Sequence, residues 1–183
     1  MSEIDKYDIG EVSERLVEYY LQRKGWYTSP ARTRRTALNS APLLVRGTEA
    51  LIQPDIYACK NGKAIRAEVK QKSEAHWVRK RSQKEHGVPE KQLQHYQEVA
   101  SMSGHHVHLF VFELSQMKLL HLDLNEHEPY PPLSPKSSKK NTGDVLRNFS
   151  RDWFHELKLA DQDYMKLARI LGALSVKQDR LSE

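Results

Sequence analysis

Near the start of the chain, apolar residues recur every three or four positions, which is the spacing of one face of a helix. This stripe consists of Ile9, Val12, Leu16 and Tyr20. Gly25 follows it and is a typical helix stop. The pattern therefore predicts a first helix over residues 8–24.

The period then changes to two. The pair Asn61-Gly62 separates two runs, Leu51 to Cys59 and Lys63 to Lys72. An Asn-Gly pair between alternating apolar residues is a strong hairpin signal. The second run places its apolar residues on one face and its charged residues on the other.

The rest of the chain continues the alternation of helices and strands. A strand is predicted over 26–32, a helix from Pro89 to Ser103 before Gly104, and strands over 107–114 and 118–124. Residues 125–143 are rich in proline and lysine and predict a linker or loop. Beyond it, Trp153 and Phe154 require burial, and an apolar stripe predicts a helix over 161–181. We expect a core over 1–124, the linker, and a helical C-terminal extension over 144–183.

The hairpin gathers the residues with the clearest chemistry. Glu68 and Lys70 share the polar face of the second run, and folding brings Asp55 towards them. Two carboxylates and one ammonium at one place suit a hard divalent cation with an attacking water. The alternative is an exposed ion-pair patch, which contributes little to stability.

The first helix offers one further acid. Glu11, Arg15, Glu18 and Gln22 form its solvated face. Glu14 lies outside that face, on the side of Val17 and Leu21. We therefore predict that Glu14 points inward, the alternative being a flank residue whose carboxylate extends to water.

Three motifs together resemble the PD-(D/E)xK nuclease superfamily. They are the acidic first helix, Pro54-Asp55 followed by Glu68-Val69-Lys70, and Gln92-Leu93-Gln94-His95-Tyr96 on a helix. The motif Gln92-Leu93-Gln94-His95-Tyr96 is similar to one found in the RecB-like branch of the superfamily. The archaeal Holliday junction resolvases are the other branch that the chain resembles. The resemblance covers residues 9–124. It implies an α/β fold with a restriction-endonuclease-like core, in which helices flank a mixed central sheet, and a C-terminal helical appendage follows.

The resemblance also implies the roles of the residues. Asp55 and Glu68 would hold Mg²⁺, with Mn²⁺ as a substitute, and the Val69 carbonyl would be a third oxygen donor. Lys70 would orient the attacking water and stabilise charge. Three further catalytic residues are implied. Glu14 would be an auxiliary acid, and Gln92 and Tyr96 would position the active site or the DNA backbone.

Net charge supports a polyanionic partner. The chain carries a formal charge of +5, and basic residues cluster on both sides of the hairpin. Either cluster alone would be a solvated loop, but beside a metal-type motif they predict phosphate contacts. The candidates are Arg32, Arg34, Arg35, Lys72, Arg79, Lys80, Arg81 and Lys84.

Composition limits the surroundings. The single cysteine, Cys59, forms no internal disulfide and fits a reducing, cytoplasmic compartment. No apolar run is long enough to span a membrane, and no secretory signal is evident. His105, His106 and His108 raise the question of a second metal, but no acidic partner is evident near them in sequence, so we favour polar residues where a strand emerges.

The predicted function is that of a Mg²⁺-dependent nuclease, an endonuclease or exonuclease acting on DNA in repair or recombination. A catalytically inactive DNA-binding or assembly module of the same fold is the alternative. A junction-resolving enzyme needs a symmetric dimer, whereas an end-processing exonuclease needs a channel for one strand. The stripe over 161–181 would dock on its own core or on a second copy, which makes a homodimer one of two expectations.

Overall fold

The computed structural model describes residues 6–30, 43–46, 48–132 and 145–163. The helices are α1 (Lys6–Arg23) and α2 (Glu90–Ser103). The strands are β1 (Tyr27–Pro30), β2 (Leu43–Arg46), β3 (Glu49–Ile52), β4 (Ile56–Lys60), β5 (Lys63–Lys72), β6 (His76–Val78), β7 (Gln83–Pro89), β8 (His106–Glu113), β9 (Lys118–Asp123), β10 (Leu146–Ser150) and β11 (His155–Leu157). No helix among these residues is long and apolar enough to cross a membrane.

A mixed sheet of six strands forms the centre, in the order β1-β4-β5-β8-β9-β11. Strands β5 and β8 are parallel, and the other neighbours in this sheet are antiparallel. Helix α2 lies in the crossover between β5 and β8, as a parallel pair requires. The predicted α/β fold with a mixed central sheet is confirmed.

The two helices cover opposite faces of this sheet. On one face Leu16 and Val17 of α1 belong to a core cluster with Ala67 of β5 and Phe110 of β8. On the other face Leu93 and Tyr96 of α2 belong to a second cluster with Leu109 and Val111. Alternate residues of β8 therefore serve different cores, which explains why that strand is an almost unbroken apolar run.

Local signals predicted several elements correctly. Asn61 and Gly62 both have positive φ, 49° and 75°, and form the turn between β4 and β5. Gly104 caps α2 in the left-handed conformation at φ 67°, where its N–H donates to the Ala100 carbonyl. The first arm of the hairpin was predicted too long, because Pro54 and Asp55 separate β3 from β4.

Two regions differ from expectation, and the first is residues 73–86, whose composition indicates only a polar bridge. Residues 73–86 contain β6 and the start of β7, which form a second sheet in the order β10-β7-β6. Strand β10 pairs with β7 and β11 pairs with β9. The prediction that 144–183 is a helical extension is thus wrong for residues 146–157, whose strands complete the two sheets and bury Phe149 and Phe154.

Other expectations fall partly outside the described residues. Tyr130 of the expected linker donates its backbone N–H to the Asn148 carbonyl over 2.9 Å, so this residue lies beside β10. Residues 133–144 and most of the helix expected over 161–181 lie outside the described ranges. Within them, residues 161–163 are helical, and Arg23 of α1 holds Asp163 by an ion pair of 2.7 Å.

Candidate active site at the end of the central hairpin

The backbone of β5 fixes the position of Asp55. The ladder between β4 and β5 ends at the pair Ile56 and Ala67. Val69 lies two residues further along β5, and its N–H donates to Asp55 Oδ2 over 2.8 Å. The carboxylate thus takes the hydrogen bond that a longer β4 would have made.

Glu68 and Lys70 lie on the α2 face of β5, as the period of two predicts. Glu68 is only 2% exposed. Lys70 Nζ lies 2.5 Å from Glu68 Oε1, and Gln92 Nε2 of α2 donates to the same oxygen over 3.2 Å. A buried carboxylate needs such partners, because leaving it unpaired away from water is costly.

Tyr96 follows Gln92 by one helical turn. Its side chain is 1% exposed, and its hydroxyl makes no hydrogen bond of ordinary geometry with any described residue. Burial raises the pKa of the Tyr96 phenol well above its usual range, and the Glu68 carboxylate raises it further. Tyr96 is therefore a neutral phenol beside Glu68 that has a donor to offer.

Glu14 is half-buried on α1, and its charge reaches the site. The acids on the solvated face of α1, Glu11 and Glu18, have partners on that same side of the helix. Glu11 forms an ion pair with Arg15 of its own helix, and Glu18 accepts hydrogen bonds from Gln22 and Thr28. Glu14 thus acts on Asp55 through its charge, and its role as the site acid of α1 stays a prediction.

The electrostatics of the site favour a cation. Burial raises the pKa of the Asp55 carboxyl well above its usual range, and the Glu68 and Glu14 carboxylates raise it further. Burial by itself would lower the pKa of Lys70, but Glu68, Asp55 and Glu14 outweigh it, and the net shift is upward. Three carboxyl groups thus lie near one ammonium, and a bound cation would favour the ionised form of Asp55.

The donor set fits a hard ion such as Mg²⁺. Asp55 and Glu68 offer carboxylate oxygens, the ligands that Mg²⁺ prefers. In an antiparallel pair, the N–H and the C=O of one residue point to the same neighbouring strand. Because the Val69 N–H points to Asp55, its carbonyl emerges on the same side, beyond the end of the ladder with β4. The Asp55 carboxylate and the Val69 carbonyl therefore lie on the same side of β5, and their role as metal ligands with Glu68 stays a prediction.

Comparison with solved structures agrees with this fold. The chain is similar to Hjc, a Holliday junction resolvase from the archaeal hyperthermophile Archaeoglobus fulgidus, with a TM-score of 0.50 and 13% identity over 84% of this chain and 99% of that one. The fold is of the resolvase type. A nuclease from a fusselovirus also matches, with a TM-score of 0.42 and 8% identity over 94% of this chain and 96% of that one. The sequence matches no family model and no curated protein. The restriction-endonuclease-like fold implied by the three motifs is supported by the likeness to Hjc, at the level of the fold alone.

The structure describes five of the eight predicted DNA contacts. Arg79 and Lys80 are exposed in the turn between β6 and β7. Lys84 is exposed on β7 and lies 3.7 Å from Glu74. Lys72 is the last residue of β5. Partial burial lowers its pKa, and the positive charge of Lys70 lowers it further. Arg32, Arg34 and Arg35 lie outside the described residues.

Arg81, the fifth, already has partners within the protein. Its guanidinium bonds to both carboxylate oxygens of the fully buried Glu85, at 2.8 and 3.1 Å, and to the Pro131 carbonyl at 2.7 Å. It also lies over the Tyr130 ring. The prediction that Arg81 contacts DNA is therefore replaced by a structural role, since leaving Glu85 unpaired would be costly.

The sequence assigns no role to Ser13, and for Trp77 it favours an anchor that packs its segment down over a stacking surface for a base. Ser13 is buried on α1 and donates to Gln71 Oε1 over 3.0 Å, which links the helix to the strand that carries Lys70. Trp77 on β6 is 60% exposed, so it does not anchor its segment. An exposed indole beside Arg79 and Lys80 is instead available to a ligand.

The histidines near β8 have the acidic partner that the local sequence did not show. Asp123 of β9 pairs with His108 in the register of the β8–β9 hairpin. Its Oδ2 lies 2.6 Å from His106 Nδ1. The hairpin register was the signal that could have found it. These side chains lie on the α1 face of the sheet and take no part in the site of Asp55 and Glu68.

Proposed function

We propose that this protein is a divalent-metal-dependent DNA nuclease that hydrolyses phosphodiester bonds at the site of Asp55, Glu68 and Lys70. One observation carries the proposal. On a resolvase-type fold, a carboxylate at the end of the β4–β5 ladder meets a buried carboxylate and an ammonium from β5.

Hydrolysis requires water to attack phosphorus, the bond to one sugar oxygen to break, and that oxygen to gain a proton. Asp55, Glu68 and the Val69 carbonyl would hold Mg²⁺, with Mn²⁺ as a substitute, and the bound ion would acidify water and neutralise phosphate oxygens. The raised pKa keeps Lys70 protonated at neutral pH. Lys70 therefore orients water and stabilises developing negative charge, and it does not act as the base.

Helix α2 supports this arrangement. Gln92 donates to the Glu68 oxygen that also meets Lys70, and so it holds that carboxylate in one orientation. Tyr96 has its hydroxyl beside the same carboxylate and is locked by burial. Both residues act by positioning, and Glu14 acts as an auxiliary acid whose charge strengthens the attraction for a cation.

The substrate that the surface favours is DNA. Arg79 and Lys80 sit in the exposed turn of the β6–β7 hairpin, and Trp77 stands exposed on β6. Basic side chains neutralise phosphates, and an exposed aromatic ring offers a surface for a base. Hjc is a Holliday junction resolvase, and branched DNA therefore belongs among the substrates to be tested, beside linear, circular and single-stranded DNA.

The decisive experiment measures cleavage of these DNAs with Mg²⁺, with Mn²⁺ and with chelator. We expect metal-dependent cleavage that Asp55→Asn, Glu68→Gln and Lys70→Ala each reduce at least about 100-fold, as loss of charge stabilisation does elsewhere. Glu74→Gln and Lys63→Ala are matched controls, because both residues are charged and exposed and neither belongs to the proposed site. Circular dichroism verifies folding.

A catalytically inactive DNA-binding module makes the opposite prediction. Such a protein would bind DNA with no cleavage under any metal condition, and Glu68→Gln would not alter its binding. Undiminished cleavage by folded Glu68→Gln would disprove the mechanism itself. The close contact of Lys70 with Glu68 favours the enzyme, since an inactive module has no need to bury this pair.

A further inference from the structure

The histidine cluster, defined as His106, His108 and Asp123 with His121 beside them, has the composition of a transition-metal site. The first two lie on β8 and the others on β9, all on the face that α1 covers. Glu68 and Lys70 lie on the opposite face, towards α2. The cluster is therefore separate from the proposed nuclease site.

Three donor atoms of this cluster are close enough to share one ion. One nitrogen from each of His106 and His108 and one oxygen of Asp123 all lie within 4.8 Å of one another. His108 Nε2 is 3.9 Å from Asp123 Oδ2, and His106 Nδ1 is 2.6 Å from the same oxygen. Bonds of about 2.0–2.2 Å to a tetrahedral ion would place donors roughly 3.3–3.6 Å apart, so small side-chain movements suffice.

The second donor atoms of His108 and Asp123 are already bonded. His108 Nδ1 lies 2.8 Å from His121 Nε2, and the two rings stack with centroids 5.0 Å apart. Asp123 Oδ1 accepts the Asn125 N–H over 2.9 Å. Metal-bound histidines and carboxylates typically have their second atom held in this way, because the outer bond fixes the tautomer and the orientation.

We propose that His106 Nδ1, His108 Nε2 and Asp123 Oδ2 bind one Zn²⁺ ion. Two imidazoles and one carboxylate suit zinc better than Mg²⁺, which prefers oxygen donors. Three protein ligands leave a fourth tetrahedral position for water or an exogenous group. The cluster lines a cleft of about 820 Å³ between α1 and the sheet, so that position opens into it.

Access and charge are compatible with an ion. The side chain of His106 is 55% exposed, which gives solvent a direct route to the cluster. Lys24, Lys60 and Lys63 line the same cleft and oppose a cation by their charge. However, the Lys60 ammonium is held by the Lys24 carbonyl at 2.5 Å. The lysines would instead favour an anionic group at the fourth position.

Zinc affinity of the full chain, measured by chelator competition in excess Mg²⁺, tests the proposal. We expect one tight equivalent, weakened at least about tenfold by His106→Gln, His108→Gln or Asp123→Asn. His105→Gln is the matched control, because His105 lines the same cleft but is not among the three donors. Since His106 is largely exposed, its variant should fold even where the others fail.

X-ray absorption on the zinc complex supplies an independent signature, with imidazole nitrogens expected at about 2.0–2.1 Å. The active-site variant Glu68→Gln should keep this zinc site intact, which distinguishes it from the metal of the proposed nuclease. Equal affinity for wild type and folded His106→Gln, or a spectrum without imidazole, would overturn the proposal. Loss of zinc in Glu68→Gln would assign the ion to the other face.

Discussion

Asp55 accepts a hydrogen bond of 2.8 Å from the backbone N–H of Val69, at the point where β4 no longer pairs with β5. This bond connects the end of one strand to the ligand-bearing face of the next. It also fixes a carboxylate close to Glu68 and Glu14, and these charges repel it. The geometry that suits a metal ion is therefore a source of instability without one.

The first prediction concerns Asp55→Asn. The raised pKa means that the folded protein holds the proton of Asp55 more tightly than the unfolded chain, so ionisation at neutral pH destabilises the fold. Asparagine removes that charge and keeps an oxygen for the Val69 N–H. We expect a higher melting temperature without metal, by about 2–4 °C for each kcal/mol gained. Thermal unfolding measures it.

Mg²⁺ provides the matched comparison for this prediction. It should raise the melting temperature of the wild type, because a ligand that binds only the folded state stabilises it. Asp55→Asn should respond much less, and Glu74→Gln should respond as the wild type does. A variant less stable than the wild type in chelator would contradict the argument from charge repulsion.

The second prediction compares three glutamates of α1. Glu14 acts on Asp55 and Lys70, whereas Glu11 bonds to Arg15 and Glu18 to Gln22 and Thr28. We expect Glu14→Gln to weaken metal dependence, raising the Mg²⁺ concentration needed for half-maximal cleavage at least about threefold. Glu11→Gln and Glu18→Gln should leave it unchanged. Equal effects in all three variants, or an effect in Glu18→Gln alone, would count against Glu14.

The third prediction concerns acid stability and His86. This residue is buried beside Glu113, Arg151, Lys72 and the edge of the Phe154 ring. Burial lowers the pKa of His86 to about 4, the Glu113 carboxylate opposes the shift, and the Arg151 and Lys72 charges add to it. The unfolded chain therefore binds a proton at higher pH than the folded protein does.

Stability should thus be fully present above about pH 6.5 and fall as the pH drops towards 4, by on the order of 3 kcal/mol from this residue. Urea unfolding across this range gives the slope. The slope of the free energy of unfolding against pH reports the number of protons taken up on unfolding. His86→Gln should lower that number by about one, whereas the exposed His76→Gln should leave it unchanged. An identical slope for wild type and His86→Gln would show that His86 is not the titrating group.

Elements that depend on nearby residues were predictable from the sequence, whereas elements that depend on residues far along the chain were not. The turn at Asn61-Gly62 and the end of α2 at Gly104 follow from backbone preferences within a few residues, and both were predictable. Strand β10 has no such signal. Its five residues become a strand because β7, almost sixty residues earlier, offers them an edge.

The same distinction applies to the candidate site. Period two places Glu68 and Lys70 on one face, and helical spacing aligns Gln92 with Tyr96, so these relations were predictable. That Gln92 reaches Glu68 depends on the crossover between two parallel strands. The capture of Arg81 by Glu85 was hidden as well, because burial of Glu85 arises from the second sheet.

The fourth prediction concerns DNA binding by the β6–β7 hairpin. Arg79 and Lys80 are exposed in its turn, whereas Arg81 is held by Glu85. Replacing Arg79 and Lys80 with alanine should weaken binding without sequence bias and reduce the salt slope by about one for each lost phosphate contact. Trp77→Ala should cost about 1–3 kcal/mol of binding to single-stranded DNA.

Salt titrations of affinity separate these effects, because loss of the indole should leave the slope unchanged. Lys118→Ala and Lys63→Ala are suitable controls elsewhere on the surface. Arg81→Ala should instead lower the free energy of unfolding, since it leaves Glu85 buried without its cation. An unchanged slope in the Arg79 and Lys80 variant would show that both residues are only solvated.

The last prediction concerns assembly. The sequence predicts that the apolar stripe over 161–181, most of which lies outside the described residues, packs against a second copy, as a two-fold symmetric nuclease would require. The start of this segment is fixed to the core, because Asp163 is fully buried, bonds twice to Arg23 and accepts the Ala160 N–H. A truncation must therefore retain Asp163, or Arg23 loses its partner.

Light scattering at micromolar concentration should give a dimer for the full chain and a monomer for a version ending at Asp163. A monomeric full chain would favour docking of the segment on its own core, and a dimer that survives the truncation would place the interface elsewhere.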